Sequence, residues 1–593
     1  MKFWKKDESP HDEVVQEFPA DSDTEVSAKV GGIGDIEAIT TTWSKRGLWI
    51  AWASISLLSV AMALDNQTLT VYTNYATASF QQQSLLSTVQ IVNGVLNVVT
   101  RPPVAKIADV IGRFEGFLFS IVFLTIGFIM LAKSPNIETY FAAQIFYTIG
   151  QIGIQFMIQV FAADTSDMAH RAIFIILPNV WYLFVPWCSA PLTTAVLNNS
   201  TWRWGLGMWA IIVPVCSIPL LVTLYVNKRK SRKMRVQKRK VDWKEIVLQL
   251  DLGGSLLLAA GLALFFIAIP LADTDEKWKE ARTIVMVIIG GICLILFPFY
   301  EWKVPKYPIM SMHVFKNLDI SKSFVFILLY YLAFYIYNPY FFSWLMVVFN
   351  LSNSAATNVS VVSTVSSTAA GVIGAILMKF TKNVKWFIVS GTGFAMIGIG
   401  LIYKFRDPTS TVGELVAAQL IDGVGSGLLV SPNQVLVQAY CKHEEVAQTT
   451  ALYLSFLALG QVIGDAVSGS VYRRRYPENL RQNVPSFNET QITTVVNDMT
   501  TAIAYPLGTS IRDGIIKSFN SVMRVLLIPP LVFFAIMFLL GLTFRDINLE
   551  KYSTNVKGEV FGKSKEEVEA ENRIDEENQN ATNSHNSTQR TDF

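Results

Sequence analysis

Charge is what this sequence has least of. Lys, Arg, Asp and Glu make up 16% of 593 residues, against 51% for hydrophobic side chains. A soluble chain of this length cannot hide so much apolar surface, so an all-α polytopic membrane protein follows. Cysteine is scarce too. Cys188, Cys216, Cys293 and Cys441 lie in or beside apolar runs without metal-ligand spacing, which argues against a disulfide framework or a zinc site and leaves small core residues. No Walker A loop, HExxH, GxSxG or paired CxxC occurs, so ATP-driven transport and a membrane enzyme are not expected, nor is a cofactor. The first 46 residues hold no apolar run ahead of a small-residue cleavage site, so no cleaved signal peptide is expected.

What is present is a series of about fourteen apolar runs of roughly 18 to 25 residues, the length that crosses hydrocarbon. They lie near 47–64, 84–100, 115–133, 139–163, 172–196, 204–226, 251–271, 282–300, 322–349, 355–378, 385–403, 413–440, 446–471 and 521–544. Basic residues favour alternate loops: Arg101, Lys106 and Arg113; the run KRKSRKMRVQKRK over 228–240; Lys303, Lys306 and Lys316; Lys379, Lys382 and Lys385. The loops near 65–83 and 350–355 hold no Lys or Arg. The positive-inside rule therefore puts both termini in the cytosol. Sequons at Asn66, Asn198, Asn199, Asn350 and Asn488 all fall in the loops expected outside, as glycosylation requires. The basic run reads as a linker against anionic lipid headgroups, with no nucleic-acid partner.

The chain then divides into a disordered N-tail (1–46), a six-helix bundle (47–227), the basic linker (228–250), two additional spans (251–301), a second six-helix bundle (302–545) with a long outside loop (472–520), and a disordered acidic C-tail (546–593).

Several spans carry polar residues at helical spacing. Gln90, Asn93, Asn97 and Arg101 share one face of the second span; Gln144, Thr148, Gln151, Gln155 and Gln159 share one face of the fourth. Amides cannot face lipid unpaired, so these faces meet either a water-filled cavity or other helices. In the twelfth span Asp422 lies near the middle, with Gln419, Ser426 and Asn433 on about the same face and Gly423, Gly425 and Gly427 permitting close approach. An intramembrane carboxylate is a functional candidate, here for taking up and releasing a proton, or else a structural hydrogen-bond partner. Asp465 is a second candidate of this kind, and Asp65, at the expected outer end of the first span, a third or a merely interfacial residue. The ninth span is rich in aromatic residues: Tyr330, Phe334, Tyr337, Phe341 and Trp344 form one face, suited to stacking on a bulky ligand or to an outer interfacial belt.

The segment A105KIADVIGR113 resembles the loop between the second and third helices of the major facilitator superfamily, Gly-x-x-x-Asp-(Arg/Lys)-x-Gly-(Arg/Lys), with Ala105 and Val110 as departures. With YTNYATASFQQQSLLSTV from Tyr72, RPPVAKIADVIGR, FAADTSDMAHRAI (Phe161 to Ile173) and YPLGTSIRDGII (Tyr505 to Ile516), the chain resembles fungal siderophore-iron transporters, a fourteen-helix branch of that superfamily, over nearly all of residues 45 to 545. That resemblance implies a major facilitator fold and import of ferric-siderophore complexes such as ferrichrome in symport with protons, iron being carried only as part of the substrate. It implies residence in the plasma membrane, or alternatively an endosomal or vacuolar membrane, and a monomer. It implies a conformational latch of Asp109 and Arg113, with Asp164 and Arg171 as further members, and substrate capture by the outside loop at Tyr505. N-tail lysines (Lys2, Lys5, Lys6, Lys29) would meet the ubiquitin machinery. Relatives that exchange glutathione or drugs, or import haem, are alternatives within the superfamily; a non-transporting receptor is the alternative outside it.

Overall fold

The computed structural model describes residues 43–79, 86–166, 168–234, 251–272, 275–305, 314–441, 445–497, 499–547 and 549. The N-tail, nearly all of the C-tail and residues 235–250 of the basic linker lie outside the described residues, so nothing structural is said of them. All long elements among the described residues are helices. In chain order they are α1 (Lys45–Ser79), α2 (Leu86–Val99), α3 (Arg101–Val110), α4 (Arg113–Lys133), α5 (Ile137–Thr165), α6 (Met168–Ile176), α7 (Val185–Asn199), α8 (Trp202–Gly207), α9 (Trp209–Met234), α10 (Leu252–Leu271), α11 (Asp275–Trp278) and α12 (Ala281–Lys303). They continue as α13 (Leu318–Val348), α14 (Asn353–Thr381), α15 (Lys385–Lys404), α16 (Val412–Ala439), α17 (Val446–Asn483), α18 (Glu489–Asn497), α19 (Met499–Ala504) and α20 (Ser510–Leu542).

Among the described residues, eleven helices are long and apolar enough to cross a membrane, or twelve if His170–Leu183 and Trp187–Asn199, bent by 41°, count as one span. The other two expected spans are helical but short. One is α2, with 14 residues, and the other is the apolar stretch Gly253–Ile269 of α10.

The structure departs from the sequence expectations at three places. The polar stretch after Asp65, expected as an outside loop, continues α1 to Ser79. The charged loop expected around Arg101, Lys106 and Arg113, a hinge between the second and third spans, is itself largely a helix, with Pro102 and Pro103 in its first turn, where a missing N–H costs nothing. The turn shrinks to Ile111 and Gly112, and Gly112 has φ +128°, which side-chain-bearing residues resist. The outside loop over 472–520 is helical beyond the stretch QITTVVNDMTTAIA, whose periodicity already reads as helix and which α18 and α19 cover: α17 runs on to Asn483 and α20 starts at Ser510. Local capping explains the last feature. Asn488 and Gln491 exchange hydrogen bonds at the start of α18 (3.0 and 2.8 Å), and the Thr509 side chain accepts from Arg512 N at the start of α20.

In the first part of the chain α1 packs on α9 and α7, and α4 packs on α5 and α9; in the last part α13 packs on α17 and α20, and α16 on α14 and α15. The helices α10 and α12 pair with each other, and α10 lies against α2 and α17, where Leu262 and Phe266 meet Val95, Val98, Ala458 and Val462. Trp52 Nε1 donates to Thr165 Oγ1 (3.2 Å), tying α1 to the C-terminal end of α5, and Leu549 N donates to Lys382 O (2.9 Å), just past the end of α14. The two parts of the chain join on the side where α2, α5 and α16 end: Ser455 Oγ donates to Val98 O (2.9 Å), and Gln434 Nε2 to Gln159 Oε1 (2.9 Å).

Candidate functional site

The three candidate acids occupy different surroundings. Asp65 is fully buried within α1; Tyr147 Oη, from α5, donates to its Oδ2 at 2.8 Å while Oδ1 has no hydrogen-bond partner. Asp422 on α16 is equally buried. It accepts from Ser363 Oγ of α14 (2.8 Å) and from the Tyr337 hydroxyl of α13. Asp465 on α17 is half-buried, hydrogen-bonded to Gln461 and close to Tyr335 and Tyr340. Among the described residues no Lys or Arg forms an ion pair with any of the three. Each is therefore an acid whose charge is balanced only by hydroxyl or amide dipoles.

The polar faces of the second and fourth spans meet each other and the second half of the chain. Thr148 Oγ1 donates to Asn93 Oδ1 (3.0 Å), Asn97 Oδ1 accepts from Arg101 Nη2 (3.2 Å), and Gln159 meets Gln434. Gln144 is buried with its Oε1 unpartnered, Gln151 is half-buried and Gln155 is exposed in the middle of a helix that is otherwise mostly covered. Gln159 and Thr148 flank Gln155 on the same face and both point inward, so the exposure of Gln155 opens toward the interior of the bundle. Gln90 lies on α2, and its side chain is outside the described residues. Gln419 and Asn433 are buried on α16; Asn433 Nδ2 donates to Ser323 O (3.3 Å) and its Oδ1 is unpartnered.

Of the expected aromatic face, Tyr330, Tyr337, Phe341 and Trp344 are all buried in protein. Phe334 alone of the five stays half-open. Helix α13 is covered on this face because it packs on both α16 and α20. Sequence reasoning missed Tyr147, Ser363 and Gln434, partners contributed by other helices, which no local spacing can reveal.

At the hinge, Arg113 Nε donates to Asp164 Oδ2 (2.7 Å) and Nη2 to Oδ1 (3.4 Å), a forked pair with side chains about 10% exposed. Arg171 Nη2 donates to the carbonyls of Ala163 and Ser166 (3.0 and 3.2 Å), and so holds the turn that carries Asp164. Asp109 lies on α3 with its side chain outside the described residues. Lys228, at the basic end of α9, pairs with Glu115. Leucine at Arg113 leaves the Asp164 carboxylate without its forked partner, leucine at Asp164 removes the fork from Arg113, and each is expected to lower stability, the former by about 3 kcal/mol. The double leucine variant is expected to lose less than the sum, which a double-mutant cycle of detergent melting curves measures; additive losses would dismiss the pair.

Of the sequons, Asn198, Asn199, Asn350 and Asn488 are exposed at helix ends, whereas Asn66 lies within α1 and its threonine, Thr68, is buried and accepts from Trp209 Nε1 (3.0 Å). Tyr505 is half-buried against Phe487 (centroids 5.5 Å apart). The segment that carries it is tied down by the buried Arg512, which donates to the carbonyls of Ala502 and Val347 (2.8 Å for the latter). Glu489 accepts two hydrogen bonds from Arg481, which hold its carboxyl below the usual range. Among the described residues no three His, Cys, Asp or Glu side chains converge on a metal-sized site.

The Major Facilitator Superfamily model matches residues 47–315 and 323–475. The chain is 36% identical to MFS siderochrome iron transporter C of Aspergillus fumigatus over 88% of this chain and 87% of that one. It is 35% identical to siderophore iron transporter mirC of Emericella nidulans, over 89% of each chain. It is 33% identical to siderophore iron transporter 1 of Schizosaccharomyces pombe, over 86% of this chain and 84% of that one.

Proposed function

Because the chain belongs to the Major Facilitator Superfamily, and within it to the siderophore-iron transporters, we propose that it imports ferric-siderophore complexes by alternating access in symport with protons. The observation that carries the coupling is the pair of fully buried acids, Asp65 and Asp422, each accepting from a tyrosine of a neighbouring helix and neither paired with a cation. The charge state of such a group depends on whether water reaches it, and that is what a coupling site needs: a proton is gained while the cavity faces one side and lost once it faces the other.

The basic loops favour cytosolic termini, so the joined side of the bundle faces the cytosol and the substrate enters from outside. In that frame the first and last six-helix bundles rock about the contacts Gln159–Gln434 and Ser455–Val98, and the Arg113–Asp164 fork stiffens the cytosolic ends of α4 and α5. Tyr505 lies on the outer side, where it meets incoming substrate first. The plasma membrane is the site of action, and the protein works as a monomer.

The test is uptake of radio-iron siderophores by cells expressing the full chain, with and without a protonophore. Accumulation of at least one ferric siderophore that collapses with the protonophore is expected. Uptake indifferent to the protonophore would remove the proton, and no uptake across the panel would remove the substrate class.

A further inference from the structure

One aromatic surface of α13 is not consumed by packing. Tyr331, Phe334 and Tyr335 are half-open in the middle of a helix whose neighbours Ala333, Ile336 and Tyr337 are buried. Tyr331 and Tyr335 lie one turn apart with nearly parallel rings, 6.2 Å between centroids and 19° between planes, and Phe334 meets Tyr335 edge-on at 5.3 Å. This surface looks into the bundle and not at lipid. Gly464 of α17 abuts Tyr335, where a Cβ would come within 2.8 Å of the Tyr335 Cβ, and the outer side of the α2–α17 seam is sealed by Leu262 and Phe266 of α10.

The strip ends in charge at both edges. At one edge is Arg101, 7% exposed, which feels Tyr331 as its ionisable neighbour. Its Nη1 donates to Leu454 O (2.5 Å) and Asn97 O (3.0 Å), its Nη2 to Asn97 Oδ1 (3.2 Å), and its Nε is buried without a partner. No carboxylate forms an ion pair with it among the described residues. A guanidinium held only by neutral oxygens, with one donor unspent, is an unfilled site for an electron-rich group. At the other edge is Asp465, which faces Tyr335 and Tyr340 and is hydrogen-bonded to Gln461.

We propose that Arg101, Tyr331, Tyr335 and Asp465 form the wall on which the transported chelate lies. The flat tyrosine faces take its planar donor groups, Arg101 takes the electron-rich oxygens around the ferric ion, and Asp465 takes an N–H or ammonium at the opposite edge. This rests on the ferric-siderophore function proposed above and adds a recognition rule to it: a chelate with a pendant ammonium depends on Asp465 and a neutral one does not.

The experiment is calorimetric titration of the purified full-length protein with gallium-loaded ferrichrome, neutral, and gallium-loaded ferrioxamine B, which carries an ammonium; gallium replaces iron without redox chemistry. Tyr335→Leu is expected to weaken both ligands about tenfold or more. Asp465→Asn is expected to weaken only the ammonium-bearing ligand, and Arg101→Lys to weaken both while keeping the charge. Melting curves of each variant report folding, and Tyr331→Leu, expected to bind both ligands about tenfold worse than the parent, provides a second test if Tyr335→Leu does not fold. Binding by Tyr331→Leu and Tyr335→Leu within twofold of the parent overturns the strip while leaving the transporter function intact. Binding of neither gallium chelate by the parent protein, with no ferric uptake in cells, overturns both.

Discussion

Asparagine at Asp422 is expected to reduce ferric-siderophore uptake to the background of cells lacking the protein, with the variant still reaching the membrane in parental amount. The substitution keeps size and shape, so the packing of α16 on α14 and α15 is undisturbed. It keeps one oxygen to accept from Ser363 Oγ or Tyr337, and replaces the other with an amide that donates where those hydroxyls also donate. The cost is one buried hydrogen bond, about 1 to 3 kcal/mol, which a folded membrane protein can bear. The ability to exchange a proton is lost outright. Uptake assayed across external pH, beside surface biotinylation, separates the two effects. A variant that retains the parental pH profile would show Asp422 to be a structural acceptor. Asparagine at Asp65 gives the matching comparison in the first half of the chain, where Tyr147 plays the part of Tyr337.

How much of this was readable from residues alone differs from one element to the next. The periodicity of hydropathy located the spans because a membrane helix must be apolar for a fixed length, and that constraint is local. The same constraint misplaced the end of α1: residues from Asp65 onward are polar, yet Thr68 and Tyr72 are buried against Trp209 and Gly205, so the helix continues on contacts that lie far away in sequence. Asp422 was visible as a carboxylate in an apolar run; its ligands Ser363 and Tyr337 were not, since they come from α14 and α13. Spacing shows that Tyr330, Tyr337 and Trp344 share a side of the helix, but the burial of that side depends on where α16 and α20 lie, which no local spacing gives. Spacing puts Arg101 on the polar face of the second span as well as among the loop cations, and the structure keeps it inside the bundle at the start of α3.

Alanine at Gly398 is expected to destabilise the protein and to lower uptake, while alanine two residues later, at Gly400, is expected to be neutral or mildly stabilising. Both positions are in the interior of α15, where alanine is worth about 1 kcal/mol more than glycine by helix propensity alone. The surroundings reverse the sign at one of them. A Cβ at Gly398 would lie 2.5 Å from Asp422 N, 2.6 Å from its Cα and 2.7 Å from its Cβ. Those are atoms of a packed helix and cannot rotate away, so α15 and α16 must part; overpacking of this kind costs about 1 to 3 kcal/mol, outweighing the propensity gain. At Gly400 the nearest atom is Leu531 Cδ2 at 3.9 Å, an ordinary contact with the far end of a side chain. Parting the helices at Gly398 also shifts the backbone that carries Asp422 relative to Ser363 and Tyr337, so the loss of uptake is expected to exceed the loss of folded protein. Melting temperature and uptake per folded molecule, measured for the two variants side by side, test this. Equal melting temperatures for Gly398→Ala and Gly400→Ala would mean that α15 and α16 do not approach as closely as described, and uptake falling only in step with folded protein would free Asp422 from dependence on that packing.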